Sequence, residues 1–313
     1  MTDVLVVGGG VIGLTAARRL QQRGADVTIW TAHDVRDTVS SVAAAVWYPS
    51  HTDQDARVSR WASATYAEFV RQAAAGVPGV LLRRTRMVLR RSAARLPWWA
   101  TGAADAVLAD GELHFTAPLV EMDTYLARLQ REVVDAGATL VRRQPASLDE
   151  ALSAAPLVIN ATGLAAGRLC DDPAVYPARG HIVLADNPGL DLSVRDEDNP
   201  AGITYVHPRT HDVVLGGTFD AGIWSLEADP AEAAAIVRRC LSLVPELSGV
   251  RIRGSRVGLR PARHGGPRVE ADGRVIHAYG HGGAGMTLSW GCADEVAALA
   301  YGATSCAADA VSS

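Results

Sequence analysis

The first thirty residues contain two short apolar runs on either side of one amphipathic stretch. The valine-rich run DVLVV, residues 3–7, has the pattern of a strand that is buried on both faces of a parallel sheet. The stretch LTAARRLQQRGA that follows has helical periodicity and stops at Gly24, a residue type that suits a helix C-cap. DVTIW, residues 26–30, then supplies a second strand. The pattern predicts a β-α-β unit at the start of the chain.

A glycine motif lies between the first strand and the helix. In GGGVIG, residues 8–13, the glycines Gly8, Gly10 and Gly13 satisfy G-x-G-x-x-G. Glycines at these places permit a tight turn and let backbone N–H groups at the helix N-terminus approach a pyrophosphate, so the context predicts a dinucleotide site. The acidic residue that usually ends the second strand and binds the adenosine ribose is missing. The ribose contact is left open between Thr31, Asp34 and the backbone.

Two later segments belong to the same predicted domain. PLVINATG, residues 156–163, is a buried strand that ends in a small-residue turn. VIHAYGHGGAGMT, residues 275–287, is a strand followed by a glycine turn, and a helical pattern begins after it. The second glycine turn is another place where backbone amides can face a ligand. FAD is commonly contacted by two such turns, one at its isoalloxazine ring and one at its pyrophosphate, so the pattern favours a flavoprotein over a nicotinamide enzyme.

The regions between these segments have a different pattern. Strand-like runs such as HIVLAD, ITYVHP and DVVLGGTF follow one another without intervening helices, which is typical of an antiparallel sheet. We therefore predict an α/β fold in which a mixed or antiparallel sheet domain is inserted into a Rossmann-like domain. The predicted cofactor domain comprises residues 1–56, 116–180 and 254–313, and the substrate domain comprises residues 57–115 and 181–253.

Composition narrows the class of protein. The 313 residues are 48% hydrophobic and 20% charged with a net charge of −4, which is ordinary for a globular protein and does not suggest a nucleic-acid partner. No apolar run is long enough for a membrane span, and the start has no basic segment typical of a signal peptide, so we expect a cytoplasmic protein. The four cysteines are scattered and fit neither a metal site nor a disulfide framework. All 30 basic residues are arginine, which excludes a P-loop lysine and a lysine Schiff base.

The motifs together resemble those of the D-amino-acid oxidase family. The C-terminal stretch VIHAYGHGGAGMTLSWGCA meets every fixed position of that family's signature. The resemblance continues in the same order through AAAVWYPS (43–50), VEMDTYLARL (120–129), VINATGLAAG (158–167), YPARGHIVLAD (176–186), TYVHPRTHDVVLGGTFDAGIWS (204–225) and RVGLRPAR (256–263). It covers nearly the whole chain. One departure is Ala201, where mammalian members carry a second tyrosine in a lid loop.

The resemblance implies an FAD enzyme that oxidises a D-amino acid with O2 and yields a 2-oxo acid, ammonia and H2O2. It implies that Arg263 holds the substrate carboxylate together with the Tyr205 hydroxyl, and that the Gly283 carbonyl accepts from the substrate amine. Tyr48 and His207 complete the predicted substrate site. Small-molecule D-amino acid and O2 are then the partners, and a homodimer is left open.

The chemistry of arginine supports a carboxylate site independently of the family resemblance. A planar guanidinium can hold a carboxylate through two parallel charge-assisted bonds, and Arg263 follows a proline-fixed turn, whereas Arg260 is read as structural or cofactor-facing. A period of two places Tyr205 and His207 on one strand face, although an ordinary strand-end histidine is the slightly favoured interpretation of His207. No general acid or base is predicted, because the acidic pairs at 171–172 and 196–198 lie in polar sequence and are read as solvated turns. The flavin carries the redox step.

The predicted FAD contacts and the alternatives complete these expectations. Contacts are expected from Gly8, Gly10, Val11, Ile12, Gly13, Thr31, Asp34, Thr38, Ser40, Ala45, Val46, Thr162, Gly163, His281, Gly282, Gly283, Gly285, Met286 and Thr287. No metal is expected. Neutral D-amino acids are the preferred substrates, with D-aspartate oxidase and glycine or sarcosine oxidase as alternatives, because His207 and Arg209 could favour an acidic substrate. An NAD(P)-dependent reductase and a non-catalytic nucleotide-binding module are the other classes considered.

Overall fold

The computed structural model describes residues 3–49, 55–90, 96–103, 105–196 and 198–310, with side chains up to residue 302. In chain order its strands are β1 Asp3–Val7, β2 Asp26–Thr31, β3 Val80–Val88, β4 Val107–Ala109, β5 Glu112–Val120, β6 Thr139–Arg142, β7 Leu157–Asn160, β8 Val175–Asp186, β9 Ser193–Asp196, β10 Thr204–Pro208, β11 Asp212–Gly216, β12 Asp220–Ala221, β13 Ile252–Arg263, β14 Arg268–Asp272 and β15 Val275–Tyr279. The α-helices are α1 Val11–Gln22, α2 Val39–Val42, α3 Ala56–Ala74, α4 Met122–Asp135, α5 Leu148–Ala154, α6 Ala165–Leu169, α7 Pro230–Leu243 and α8 Gly285–Ala310. None of the helices in these ranges is long and apolar enough to cross a membrane.

The first sheet contains the predicted β-α-β unit. Its strand order is β14-β15-β7-β1-β2-β6, and all neighbours are parallel except β14 with β15. In β1, Val4 and Val6 pack into the core that contains α1, whereas Leu5 and Val7 pack with α5 on the opposite face. Burial on both faces explains why β1 reads as a continuous apolar run. The α/β fold class is confirmed.

The second sheet has nine strands, in the order β12-β8-β11-β10-β9-β3-β5-β4, with β13 pairing to β8. Its pairings are antiparallel except β3 with β9, so the predicted mixed sheet is present. Alternation along the strands divides its two faces. Val183 and Val206 pack with α7, whereas Ile182 and Tyr205 belong to a separate cluster on the other face. That second face is the one that meets the first sheet.

The predicted domain boundaries do not coincide with the strand pairing. The boundaries at 115/116, 180/181 and 253/254 fall inside β5, β8 and β13, which all belong to the second sheet. The reason is that long strands, and not polar linkers, connect the two sheets along the chain. The second sheet therefore includes residues that composition assigns to the cofactor domain.

Candidate active site

A cavity of about 630 Å³ lies where the carboxyl ends of the first sheet meet the inner face of the second. Its walls come from the turns after β1, β2, β7 and β15, and from β8, β10 and β13. Ligands of open parallel sheets bind at this edge, because the helix N-termini that follow the strands point there. The cavity is therefore the candidate active site.

The first glycine turn brings backbone close to backbone at one end of the cavity. A Cβ on Gly8 would lie 2.2 Å from the Ala161 carbonyl oxygen, and one on Gly13 would lie 1.9 Å from the Gly8 carbonyl oxygen. Gly8 and Gly10 line the cavity, whereas Gly13 does not. Gly13 acts instead through close packing of α1 on the turn, which keeps the α1 N-terminus at the cavity wall.

The second glycine turn supplies another helix N-terminus. Gly282, Gly283 and Gly285 line the cavity, and α8 begins at Gly285. Neither α1 nor α8 carries an acidic residue in its first turn, so both ends attract an anion. His281 also lines the cavity, and full burial lowers its pKa to about 4, so its imidazole is neutral near pH 7. Its Nε2 lies 3.3 Å from the Cys292 sulfur.

After β2, both residues that were considered for the ribose contact make local hydrogen bonds within the protein. The Thr31 hydroxyl donates to the His33 carbonyl at 2.8 Å, and Asp34 caps a short 3-10 turn by accepting from the Arg36 N–H at 3.0 Å. Asp34 does not line the cavity. Of the described lining residues, Asp37 alone carries a carboxylate. The helical turn that Asp34 caps places Asp37 at the wall, which sequence spacing does not reveal.

Arg260, and not Arg263, lies in the cavity wall. The segment that was read as a turn is the strand β13, and a period of two puts residues three apart on opposite faces. The Arg260 Nη1 donates to the carbonyls of Arg179 at 3.2 Å and Thr218 at 3.1 Å. A Cβ on Gly283 would lie 3.5 Å from the Arg260 Cδ, so this side chain adjoins the second glycine turn.

Arg263 has a structural partner instead. Its Nε donates to Asp172 at 2.9 Å, and the Tyr279 hydroxyl donates to the same carboxylate oxygen at 2.9 Å. Burial raises the pKa of Asp172, but these hydrogen bonds outweigh it and the pKa is lowered overall. A Cβ on Gly280 would lie 2.7 Å from the Arg263 Cβ, so the arginine stem packs on the glycine turn. The interpretation of Asp172 as a solvated turn residue is wrong.

Aromatic and charged side chains from β9 and β10 form the opposite wall. Tyr205 and His207 both line the cavity and stack with ring centroids 4.6 Å apart, as the period of two predicts. Arg195 is the register partner of Tyr205, and its guanidinium lies 3.6 Å from the centre of the Tyr48 ring. Burial and the Arg195 charge hold the pKa of His207 well below its ordinary value. Ser193 contacts the His207 Nδ1 at 2.6 Å.

Most predicted site residues line this one cavity. They are Gly8, Gly10, Val11, Ile12, Thr31, Thr38, Ser40, Ala45, Val46, Tyr48, Thr162, Gly163, Tyr205, His207, His281, Gly282, Gly283, Gly285, Met286 and Thr287. Gly13, Asp34 and Arg263 do not line it. Ala45 has φ 55°, a left-handed conformation that is rare outside glycine and is often found at functional sites.

Sequence reasoning missed three charged residues of the wall, namely Asp37, Arg143 and Arg195. β9 has only four residues and no apolar alternation, so nothing signals Arg195. Asp196 on the same strand is fully buried and pairs with Arg90 at 2.6 Å, so its assignment to a solvated turn is wrong. Arg209 is paired with Asp212 at 2.5 Å and does not line the cavity, so it gives no support for an acidic substrate.

The three cysteines whose side chains are described carry neutral thiols near pH 7. Burial raises the pKa of Cys240 to about 12 and raises that of Cys170 and Cys292, and all three are free. The Cys306 side chain lies outside the described residues. The described part of the chain contains no cluster of three or more metal-ligating side chains.

Comparison with known proteins gives the family. The FAD dependent oxidoreductase family matches residues 3–299. The chain is 45% identical to a D-amino-acid oxidase of Rubrobacter xylanophilus, with 96% of each chain covered. This chain belongs to the D-amino-acid oxidase family of FAD-dependent oxidoreductases. A D-amino-acid oxidase of Streptomyces coelicolor is 42% identical over 95% of this chain and 96% of its own. The solved glycine oxidase of Bacillus cereus has a TM-score of 0.79 at 18% identity, covering 97% and 98% of the two chains, which shows a common fold.

FAD is the cofactor of this oxidoreductase, and the residues present fit it. Two helix N-termini face one cavity, and the Gly8 and Gly9 positions have no space for a Cβ, so the backbone can approach a pyrophosphate closely. The largely apolar middle of the wall includes Ala45, Val46 and Met286, which suits a flat ring. The residues around α1 would hold the pyrophosphate, and those around α8 would hold the ring end.

Proposed function

We propose that this chain oxidises neutral D-amino acids with O2 and water to give 2-oxo acids, ammonia and H2O2. The observation that carries the proposal is the half-buried guanidinium of Arg260, held by two carbonyls in the cavity that suits FAD. Among the described residues, no carboxylate lies within ion-pair distance of Arg260. A cation held in this way is suited to bind an arriving carboxylate.

Two side chains would bind the substrate carboxylate. Arg260 offers a planar donor fork whose position is set by the carbonyls of Arg179 and Thr218. Tyr205 lies in the same cavity, and a Cβ on Gly216 would lie 1.9 Å from its ring, so the ring rests directly on the neighbouring backbone. A rigid ring and a fixed guanidinium hold the substrate in one orientation, which is how orientation lowers the barrier.

The amine would be bound by the Gly283 carbonyl next to the Arg260 side chain. The positive charge of the Arg260 guanidinium beside this carbonyl lowers the pKa of a bound ammonium group and favours the neutral amine, without a protein base. FAD, held by the residues around α1 and α8, would supply the two-electron redox chemistry and the reaction with O2.

We also infer that Asp37 binds the adenosine ribose of FAD in place of the missing strand-end acid. It is at the β2 end of the cavity, where that contact is made in this fold class. Arg143 lies over the Trp30 ring at 4.1 Å at the same end and supplies a flat surface for the adenine.

One observation favours a second substrate class, acidic D-amino acids. Arg195 is 5% exposed and lines the cavity across the sheet from Arg260, so a side-chain carboxylate could meet a second cation. Neutral substrates remain the first choice, because the rest of that wall consists of aromatic and aliphatic side chains, including Tyr48 and Ile182.

Oxygen uptake tests both substrate classes. The FAD-loaded protein should oxidise D-alanine and other neutral D-amino acids and leave their L-enantiomers unchanged, because anchoring both carboxylate and amine presents one face of Cα. H2O2 should be formed in equal amount to O2 consumed. If D-aspartate is the far better substrate and Arg195→Met abolishes the difference, the acidic class is the correct one. If no amino acid supports oxygen uptake, the proposed function is wrong.

A further inference from the structure

A partly buried ion cluster lies behind the sheet, on the face opposite the cavity. The Glu232 carboxylate of α7 accepts from the Arg179 Nη1 at 2.9 Å and contacts the His181 Nδ1 at 2.5 Å. Arg179 also pairs with Asp220 at 3.4 Å and donates to the Glu227 carbonyl at 2.8 Å. The cluster joins α7, β8 and the loop after β12.

The same residues carry the backbone that holds Arg260. The Arg179 carbonyl accepts from the Arg260 Nη1 at 3.2 Å, and the Thr218 carbonyl accepts from it at 3.1 Å. The His181 N–H donates to the Thr218 hydroxyl at 3.1 Å, which ties the second carbonyl to β8. Each residue whose side chain reaches Glu232 therefore has backbone that contacts Arg260 or Thr218.

The guanidinium rests directly on β8. A Cβ on Gly180, between Arg179 and His181, would lie 2.2 Å from the Arg260 Nη1. Side chains alternate across a strand, so Arg179 and His181 point to α7 while position 180 faces the cavity. A small displacement of β8 would be transmitted to the guanidinium without an intervening side chain.

We propose that Glu232 is a positioning residue for the substrate carboxylate, acting through Arg179 and His181 on Arg260. The inference rests on the proposed function of Arg260. Glu232 supplies the negative charge that keeps two side chains of β8 against α7, and so sets where the two carbonyls stand. Without that charge, Arg179 and His181 lose their common partner, and the guanidinium loses its fixed alignment.

Glu232→Gln tests the proposal, because it removes the charge and keeps the volume. In the FAD-loaded enzyme, the Kd of benzoate and the KM of D-alanine should rise about ten-fold to a hundred-fold, as expected for a misplaced binding group. The kcat at saturating D-alanine should stay within about two-fold, and the Kd of FAD should not change. Rescue should be partial in Glu232→Asp, which restores the charge on a shorter stem.

Asp186→Asn is the matched control. It removes a carboxylate that binds Arg251 and Arg253 at the far end of the same strand, so a general loosening of β8 would appear there too. Gly180→Ala should reproduce the Glu232→Gln pattern, because it displaces the guanidinium directly. The proposal is overturned if Glu232→Gln binds benzoate as the parent does while Arg260→Ala does not, or if Asp186→Asn weakens benzoate equally. If Arg260→Ala itself keeps normal benzoate binding, the proposed function fails instead.

Discussion

Replacing Arg260 by alanine removes the one guanidinium that β13 directs into the cavity wall. In the described structure, only its Nη1 donates, to the carbonyls of Arg179 and Thr218, and its other N–H groups can serve a substrate carboxylate. The substitution therefore leaves a bound carboxylate without its charged partner. It breaks no ion pair among the described residues, and each of the two carbonyls loses one hydrogen-bond donor.

The expected loss of transition-state binding free energy follows from the kind of contact that is removed. Truncating one partner of a buried, hydrogen-bonded charge pair costs about 2–5 kcal/mol, and the partial exposure of Arg260 places the expected loss near 3–4 kcal/mol. Each 1.36 kcal/mol is a factor of ten, so kcat/KM for D-alanine should fall by about 10²–10³. Arg260→Lys should recover only part of this, because a point charge does not reproduce the planar fork.

The assay compares Arg260→Ala with Arg263→Ala. Benzoate, a flat carboxylate without an amine, is titrated against the flavin spectrum of each variant, and oxygen uptake gives kcat/KM for D-alanine. Arg263→Ala should keep both and lose thermal stability instead, because it strips Asp172 of a charged partner and Gly280 of its packing. If Arg263→Ala loses benzoate while Arg260→Ala retains it, the assignment made from the strand face is refuted.

Three further outcomes are expected. Gly13→Val should abolish FAD binding, seen as a colourless protein that does not quench added flavin, because a Cβ there would lie 1.9 Å from the Gly8 carbonyl oxygen; a yellow variant would contradict this. Asp37→Asn should weaken FAD about ten-fold and leave the affinity for FMN, which has no adenosine, unchanged, whereas Asp34→Asn should alter neither; equal loss of both flavins would disprove the ribose contact. His281 has a pKa of about 4, below the ordinary histidine value, so the unfolded chain binds its proton first. The neutral imidazole contributes about 3 kcal/mol to the free energy of unfolding above pH 6.5, and this contribution should be lost as the pH falls toward 4. In denaturant unfolding from pH 7.5 to 4.5, the free energy of unfolding should therefore decline less steeply in His281→Gln than in the parent.

The local features of the fold could be predicted from the sequence. The run of valines in β1, the glycine turn after it and the helix that ends before Gly24 are set by burial, backbone freedom and periodicity within about thirty residues. The same holds for the second glycine turn before α8, and for Tyr205 and His207 on one strand face. These features depend on neighbours in the chain, which is why a sequence can report them.

The roles of the charged side chains depended on tertiary structure. Arg260 and Arg263 are three residues apart, and only the pairing of β13 with β8 decides which one faces the cavity. A proline between them favoured a turn over a strand, so the sequence pattern pointed to Arg263, whereas the structure places Arg260 in the cavity wall. Asp172 read as a solvated turn residue until the ends of β13 and β15 brought Arg263 and Tyr279 to it.

Arg195 shows the same dependence across a longer distance. Its strand β9 is short and carries no pattern, yet its register with β10 sets the guanidinium beside Tyr205 and over the Tyr48 ring, which comes from a segment nearly 150 residues earlier. Periodicity reports which side of its own element a residue faces. Which elements meet there is decided by the packing of the two sheets, because a charge acts on whatever lies within a few ångströms and not on its neighbours in sequence.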